Sequence, residues 1–368
     1  IDHHRTLPQV LSAGELIAKR EYLEKRSVVD FGLLGGLSLT NLKALRGMWE
    51  AGALGFKGFT CELHEADALE GDTLTGILEE IRRFDGIALF HCEDDRLLKA
   101  REKELREQGR RDPLTVAEWR SPEAEELAVR ALIRAAGKTG ARVAVAHTSL
   151  PSLVVEQAVA RAQGVRLFTE TCAQYLCLTV EDLEKQGPFA KFTPPPRTRG
   201  DVERMWECAA RGLIDMVNSD HCPYPFAEKE KGQKDIWQAP FGIPGVETVT
   251  PILLDLVSRG ILTLPRVVSM RCERPALVYG LGGRKGTLRV GGDADLVLVD
   301  LKRKVRFDHA RVVSKCGWTP YHGKEVSGDV VLTMVRGKVV MEDGKITGEP
   351  GWGKFVTREE GERPGFNG

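Results

Sequence analysis

Four residues define the chemistry open to this chain: Lys57 in LGFKGFT, His91 in LFHCEDD, His147 in AVAHTSLP and Asp220 in VNSDHCP. Imidazole nitrogen and carboxylate oxygen are the donors that hold a divalent cation, which makes a nucleophile of water at neutral pH and polarises a carbonyl. Either histidine alone reads more readily as an ordinary hydrogen-bonded residue than as a ligand. Two of them, each directly after an apolar run, favour ligation. Asp220 can join them as a ligand and also move a proton from water to a leaving amine. His221 beside it reads as a partner of the ligands rather than a ligand. Lys57 fits less readily, because an ammonium is repelled by a cation site. From chemistry alone, a lysine snorkelling from a strand end to solvent stands level with a functional one.

These residues need elements that bring them together. From Ser27 to about Asp220 the sequence repeats a short apolar or β-branched run, a polar loop and a segment of helical periodicity, which predicts βα units. Strands are expected at 27–31, 54–59, 86–90, 142–146, 165–168 and 214–217, with helices at 14–25, 41–51, 73–84, 122–136 and 154–162. Parallel strands joined by helices form either a barrel or an open doubly wound sheet. Candidate ligands at or just past four strand ends, with no G-x-G-x-x-G turn after the first, favour a TIM-like (β/α)8 barrel. It is expected over residues 1–280. Short strands with D-G and G-G turns then predict a small β-sandwich module over 281–348. A weakly periodic, poorly anchored tail is expected over 349–368. The polar stretch from Asp94 to Arg120 reads as a solvated helix face.

Charged residues make up 29% of the chain and balance to formal zero, which argues against nucleic acid or an anionic membrane as partner. No apolar run of transmembrane length and no signal-peptide pattern is present, so a soluble cytoplasmic protein is expected. The eight cysteines lack C-x-x-C pairing. Cys61, Cys92 and Cys222 lie close to strand ends that carry candidate ligands, yet all eight read best as reduced packing residues.

The ordered set GFKGFT, FHCED, AHTSLPS, TETCAQYL, FTPPPRT, NSDHCP, GIPGVET, RPALVYGL and KGTLRVGGDADLVLVD closely resembles the cyclic amidohydrolases, the group of dihydroorotase, allantoinase and hydantoinase (dihydropyrimidinase). The match runs over nearly the whole chain, and the spacings of 34, 56 and 73 residues between the four residues resemble the family's. The resemblance implies hydrolysis of a cyclic amide by two divalent metals, commonly zinc. It implies a Lys57 carboxylated to a bridging carbamate, His91 and His147 on one metal, and Asp220 on the other as general base. A small-molecule substrate and a homo-oligomer are implied as well. The substrate's side of the mouth falls to Arg5, Glu62, Gln174, Tyr175, Arg197, Phe241 and Gly242.

Departures narrow the expectation. The family's H-x-H at the first barrel strand has no counterpart. IDHHRTLPQV aligns with the end of the second strand, so the first strand is expected upstream of Ile1. His3 and His4, being adjacent, would point to opposite sides of a strand and substitute poorly for H-x-H. Arg5 stands where dihydroorotases carry an Asn that holds the substrate carboxylate, and a guanidinium there suits a carboxylate or ureido oxygen. Pairing with a loop acid is the plainer role. Glu62 replaces the tyrosine of hydantoinases, and Pro240-Phe241-Gly242 replaces their PNG. With Gln174 in TETCAQYL and Cys61 after GFKGFT, these departures lean towards an allantoinase-like ureide hydrolase. Dihydroorotase, hydantoinase, a mononuclear hydrolase on the same barrel and a non-catalytic scaffold are the alternatives.

Overall fold

The structure is a computed structural model that describes residues 1–63 and 65–358. Six parallel strands stand in sequential order: β1 (Leu34–Gly36), β2 (Gly55–Phe59), β3 (Ile87–His91), β4 (Arg142–Val145), β5 (Leu167–Cys172) and β6 (Met216–Asn218). A single parallel bridge, Asp2 to Leu33, continues the pairing beyond β1. Helices connect the strands and cover their outer face, which is the construction of a TIM-like barrel wall. Strands buried on both faces read as unbroken apolar runs, and β2, β3 and β4 are buried at every position.

Strand alternation divides the side chains between two cores. Leu34, Leu89, Ala144, Phe168 and Met216 fill the barrel interior, together with Tyr279 and Leu281. Phe56, Ala88, Phe90, Val143, Val145 and Leu167 face the helices. The helix Gly71–Arg83 meets this outer face with Leu74, Ile77, Leu78 and Ile81, the i, i+3, i+4, i+7 stripe of an amphipathic helix. The helix Pro122–Thr139 begins on its proline and ends at Gly140 with φ of 67°, as a left-handed C-terminal stop requires.

The first strand lies later than the sequence suggests. The run 27–31 is not a strand of the wall; Asp30 is held by Lys285 and Arg336, and Phe31 bridges to Phe355. The strand is instead LGG, Leu34–Gly36. Its glycines hide it from propensity, and they are there for space: a Cβ on Gly36 would sit 2.4 Å from His4 Cδ2, and one on Gly35 2.9 Å from Met48 Sδ.

Beyond the barrel, β7 (Leu296–Arg306), β8 (Glu325–Val335), β9 (Lys338–Glu342) and β10 (Lys345–Ile346) make one antiparallel sheet in the order β10-β9-β8-β7. Its two tight turns carry positive φ at Arg336-Gly337 and Asp343-Gly344, as two-residue hairpin loops with the twist of the strands demand. The stretch 349–358 is docked rather than loose, because Trp352 donates to the Val335 carbonyl at 3.1 Å, Phe355 packs on Phe31 and Val356 is buried. The rest of the expected tail lies outside the described residues. The stretch Asp94–Arg120 also differs from a purely solvated face, since Thr115, Val116, Trp119 and Arg120 are buried. All eight cysteines are free. Among the described residues no helix is long and apolar enough to cross a membrane.

Candidate metal centre

Lys57 pairs in register with Leu89, and Phe59 with His91. Register partners on parallel strands share a face, so Lys57 points into the barrel with Leu89 rather than snorkelling outward. It is 4% exposed and its Nζ has no hydrogen-bond partner. Burial lowers its pKa, while Glu170 and Asp220 oppose that by attraction. His91 closes β3 and His147 follows β4, and their Nδ1 and Nε2 atoms face each other at 3.0 Å. Both rings are buried and desolvation lowers both pKa values, so both favour the neutral form that ligates metals. Asp220 follows β6, and burial pushes its carboxyl up to about 6, with Lys57 pulling the other way. The four residues therefore converge on one end of the barrel.

His147 and Asp220 share a further property: φ of 37° and 42°. Left-handed backbone at non-glycine residues costs on the order of 1–3 kcal/mol and gathers where geometry serves function. The donor set passes a second test of fit. Tetrahedral zinc holds imidazole nitrogens at about 2.0–2.1 Å and so sets two of them roughly 3.3 Å apart; the His91–His147 spacing is close to that bite. Lys57 Nζ and His147 Nδ1 are both buried polar atoms without partners, and such orphans are rare without a role.

Further donors adjoin the four. His3 and His4 lie outside any strand, so their rings are not opposed; the centroids are 4.5 Å apart and both rings pack beside Phe59. His4 is 2% exposed and its Nδ1 is unpartnered. Glu170, inside TETC, is buried at 4% exposure with Oε1 unpartnered; burial raises its pKa and Lys57 opposes the rise. Glu93, inside HCED, is 0% exposed and bonds His91 Nε2 at 2.6 Å. Glu93 lies two residues past a candidate ligand, whereas Glu170 lies inside β5, which carries none.

The expected substrate-side residues separate into two sets. Gln174 is buried and donates to Asp220 Oδ2 at 3.4 Å. Arg5 donates to the Leu63 carbonyl at 3.2 Å and is half-buried beside Tyr224, Glu65 and Cys222. These two stay at the mouth. Tyr175 commits its hydroxyl proton to the Pro194 carbonyl at 2.7 Å. Arg197 is spent on Ser149 Oγ, Glu125 and the Arg120 carbonyl, so it orders the PPPRT loop. Glu62 points outward to Lys99 at 2.9 Å, with its side chain 64% exposed. Phe241 packs against Trp119, and Gly242 abuts Cys222, whose oxygen would lie 2.4 Å from an added Cβ. His221 accepts from the Gly245 and Val246 amides through Nδ1, which fixes the GIPGV loop next to Asp220. A second acidic group, Asp30, Asp293 and Asp295, is neutralised by Lys285.

Comparison with known proteins bears on the family and the fold. Residues 39–340 match the Amidohydrolase family. An L-hydantoinase of Paenarthrobacter aurescens is 36% identical over 356 residues, spanning 96% of this chain and 78% of that relative. An allantoinase of Solibacter usitatus is 32% identical over 94% of this chain and 75% of its own. The crystal structure of an L-hydantoinase (dihydropyrimidinase) from Arthrobacter aurescens superposes with a TM-score of 0.95 at 35% identity, covering 97% of this chain and 80% of that one. The chain belongs to the amidohydrolase family, to its group of cyclic amidohydrolases.

Proposed function

We propose that this protein hydrolyses the ring amide of a hydantoin-class substrate at a centre of two divalent metals, zinc by preference, held by Lys57, His91, His147 and Asp220. The observation that carries the reading is the convergence of these four side chains at one barrel end, with the buried Lys57 Nζ unpartnered. Likeness to an L-hydantoinase over 96% of the chain supports the hydantoin ring over the allantoin ring that the sequence motifs favoured.

When bound, the metals supply a hydroxide nucleophile and a Lewis acid for the carbonyl. The chain's own residues do the rest. Burial favours the neutral amine of Lys57, which adds carbon dioxide and releases a proton; the carbamate so formed is an anionic oxygen donor where an ammonium would be repelled. Asp220 is placed to take a proton and to return it to the leaving amide nitrogen, with Gln174 fixing one of its oxygens. Arg5, whose backbone contact leaves most of its guanidinium donors unused, faces the mouth as a site for ureido or carboxylate oxygen. We further propose that the protein works in the cytoplasm as a homo-oligomer, for which light scattering of the purified protein is the check.

The test of function is turnover of a panel of 5-substituted hydantoins, dihydrouracil, allantoin and dihydroorotate. Highest kcat/KM on a hydantoin supports the reading, and highest kcat/KM on allantoin or dihydroorotate rejects it. A chelator should abolish the activity and zinc or manganese restore it; activity untouched by exhaustive chelation would remove the metal centre from the mechanism.

A further inference from the structure

Glu93 is a heavily engaged carboxylate that the metal-centre reading leaves without a task. It is fully buried, and three donors converge on its Oε2: His91 Nε2 at 2.6 Å, Arg120 Nη1 at 2.5 Å and Thr193 Oγ1 at 2.7 Å. Its Oε1 has no partner at all. Its backbone is clamped too, since its amide donates to Thr60 Oγ1 and its carbonyl accepts from the same hydroxyl, both at 2.9 Å. A guanidinium is always charged, so the carboxylate beside Arg120 is an acceptor only. The His91 nitrogen that meets it must then carry the ring's proton, which leaves the lone pair on Nδ1. That is the atom that faces His147 Nε2 at 3.0 Å.

The anchor for Glu93 lies far along the chain. Arg120 ends the stretch that follows β3, and its guanidinium lies 4.6 Å from the Trp119 ring centroid and 4.5 Å from that of Phe241. Its carbonyl accepts from Arg197. Arg197 binds Glu125, which in turn takes both the amide and the hydroxyl of Ser149, two residues past His147. One buried polar network therefore reaches both histidine-bearing strand ends.

We propose that Glu93 is a positioning residue: held by Arg120 and Thr193, it fixes His91 in the Nε2–H tautomer and so aims Nδ1 and the His147 Nε2 at one divalent cation. This rests on the metal-centre reading and adds to it the residue that decides which nitrogen serves. Removing such a partner typically weakens metal binding about 10- to 100-fold.

Two measurements on the full chain test it. In metal-free protein labelled with 15N at histidine, long-range proton–nitrogen correlation reports the tautomer of His91, assigned by the signal that Asn replacement (His91→Asn) removes. The Nε2–H form is expected, and the Nδ1–H form overturns the proposal whether or not any variant folds. Cobalt(II) titration then compares wild type with Glu93→Gln, Glu93→Asp and Thr193→Val. Glu93→Gln should weaken cobalt binding at least about 10-fold and shift its visible absorption bands, with Asp restoring part of the affinity and Thr193→Val losing less. A folded Glu93→Gln with wild-type affinity and spectrum refutes the role. Should wild type bind no cobalt, the metal-centre reading fails on its own, and the tautomer still decides what Glu93 does.

Discussion

At the scale of single residues, Lys57 is the informative case. Chemistry alone left it balanced between a solvent-seeking lysine and a functional one, and resemblance resolved the choice. The structure supplies the physical reason that was missing: register with Leu89 turns it inward, and burial leaves its amine without a partner. Lys57→Met keeps the packing and removes the nitrogen. Metal content measured by mass spectrometry should fall below that of wild type, and kcat should drop on the order of 10³-fold, since metal activation is worth several kcal/mol. Full metal occupancy in that variant would show that Lys57 bridges nothing. His91, His147 and Asp220 were legible because each ends an apolar run. Glu93 and Glu170 were not, because a carboxylate just past a strand or inside one carries no mark in sequence of what it touches.

At the scale of elements, the βα cadence was readable from β2 to β6 because buried parallel strands announce themselves as apolar runs. LGG was not readable, because its glycines answer to His4 and Met48 across space rather than to strand propensity. The loops behaved similarly. Tyr175 and Arg197 sit in motifs that suggest substrate contact, yet their polar atoms are consumed by Pro194, Glu125, Ser149 and a backbone carbonyl. Sequence shows which groups a loop owns but not which are already engaged. The loop through Gly242 yields a sharp expectation. Its φ is 135° and a Cβ would lie 2.4 Å from the Cys222 oxygen, a backbone atom that cannot swing aside. Gly242→Ala should cost about 2 kcal/mol or more, read as a lower denaturant midpoint, and an unchanged midpoint would show that the loop is not so confined.

At the scale of the whole molecule, barrel and β-module are joined by charge as well as packing. Asp30, in the run that precedes β1, is half of two ion pairs, with Lys285 and with Arg336 at the hairpin between β8 and β9. Arg336 Nη2 also reaches the Trp352 carbonyl and so gathers in the docked C-terminal stretch. Asp30→Asn takes the counter-charge from Arg336, whereas Lys285 keeps Asp293 and Asp295. Breaking a fully buried pair costs about 3–5 kcal/mol, and the partly solvated Arg336 brings this to roughly 2–3 kcal/mol. Thermal unfolding should move down by roughly 3–4 °C. A smaller loss in 1 M salt would identify the effect as electrostatic, whereas an unshifted transition would mean that the two units hold together by apolar contact alone.

The left-handed backbone at His147 and Asp220 bears on heredity as well as on catalysis. Neither conformation is one that an L-residue favours, so on the proposed function both are kept for the reaction rather than for folding. A descendant freed from that demand would find glycine at position 220 an improvement, shedding a strained and desolvated acid in one step. Asp220→Gly should accordingly be inactive and yet melt higher than its parent; a lower melting temperature would mean that the aspartate supports the barrel itself.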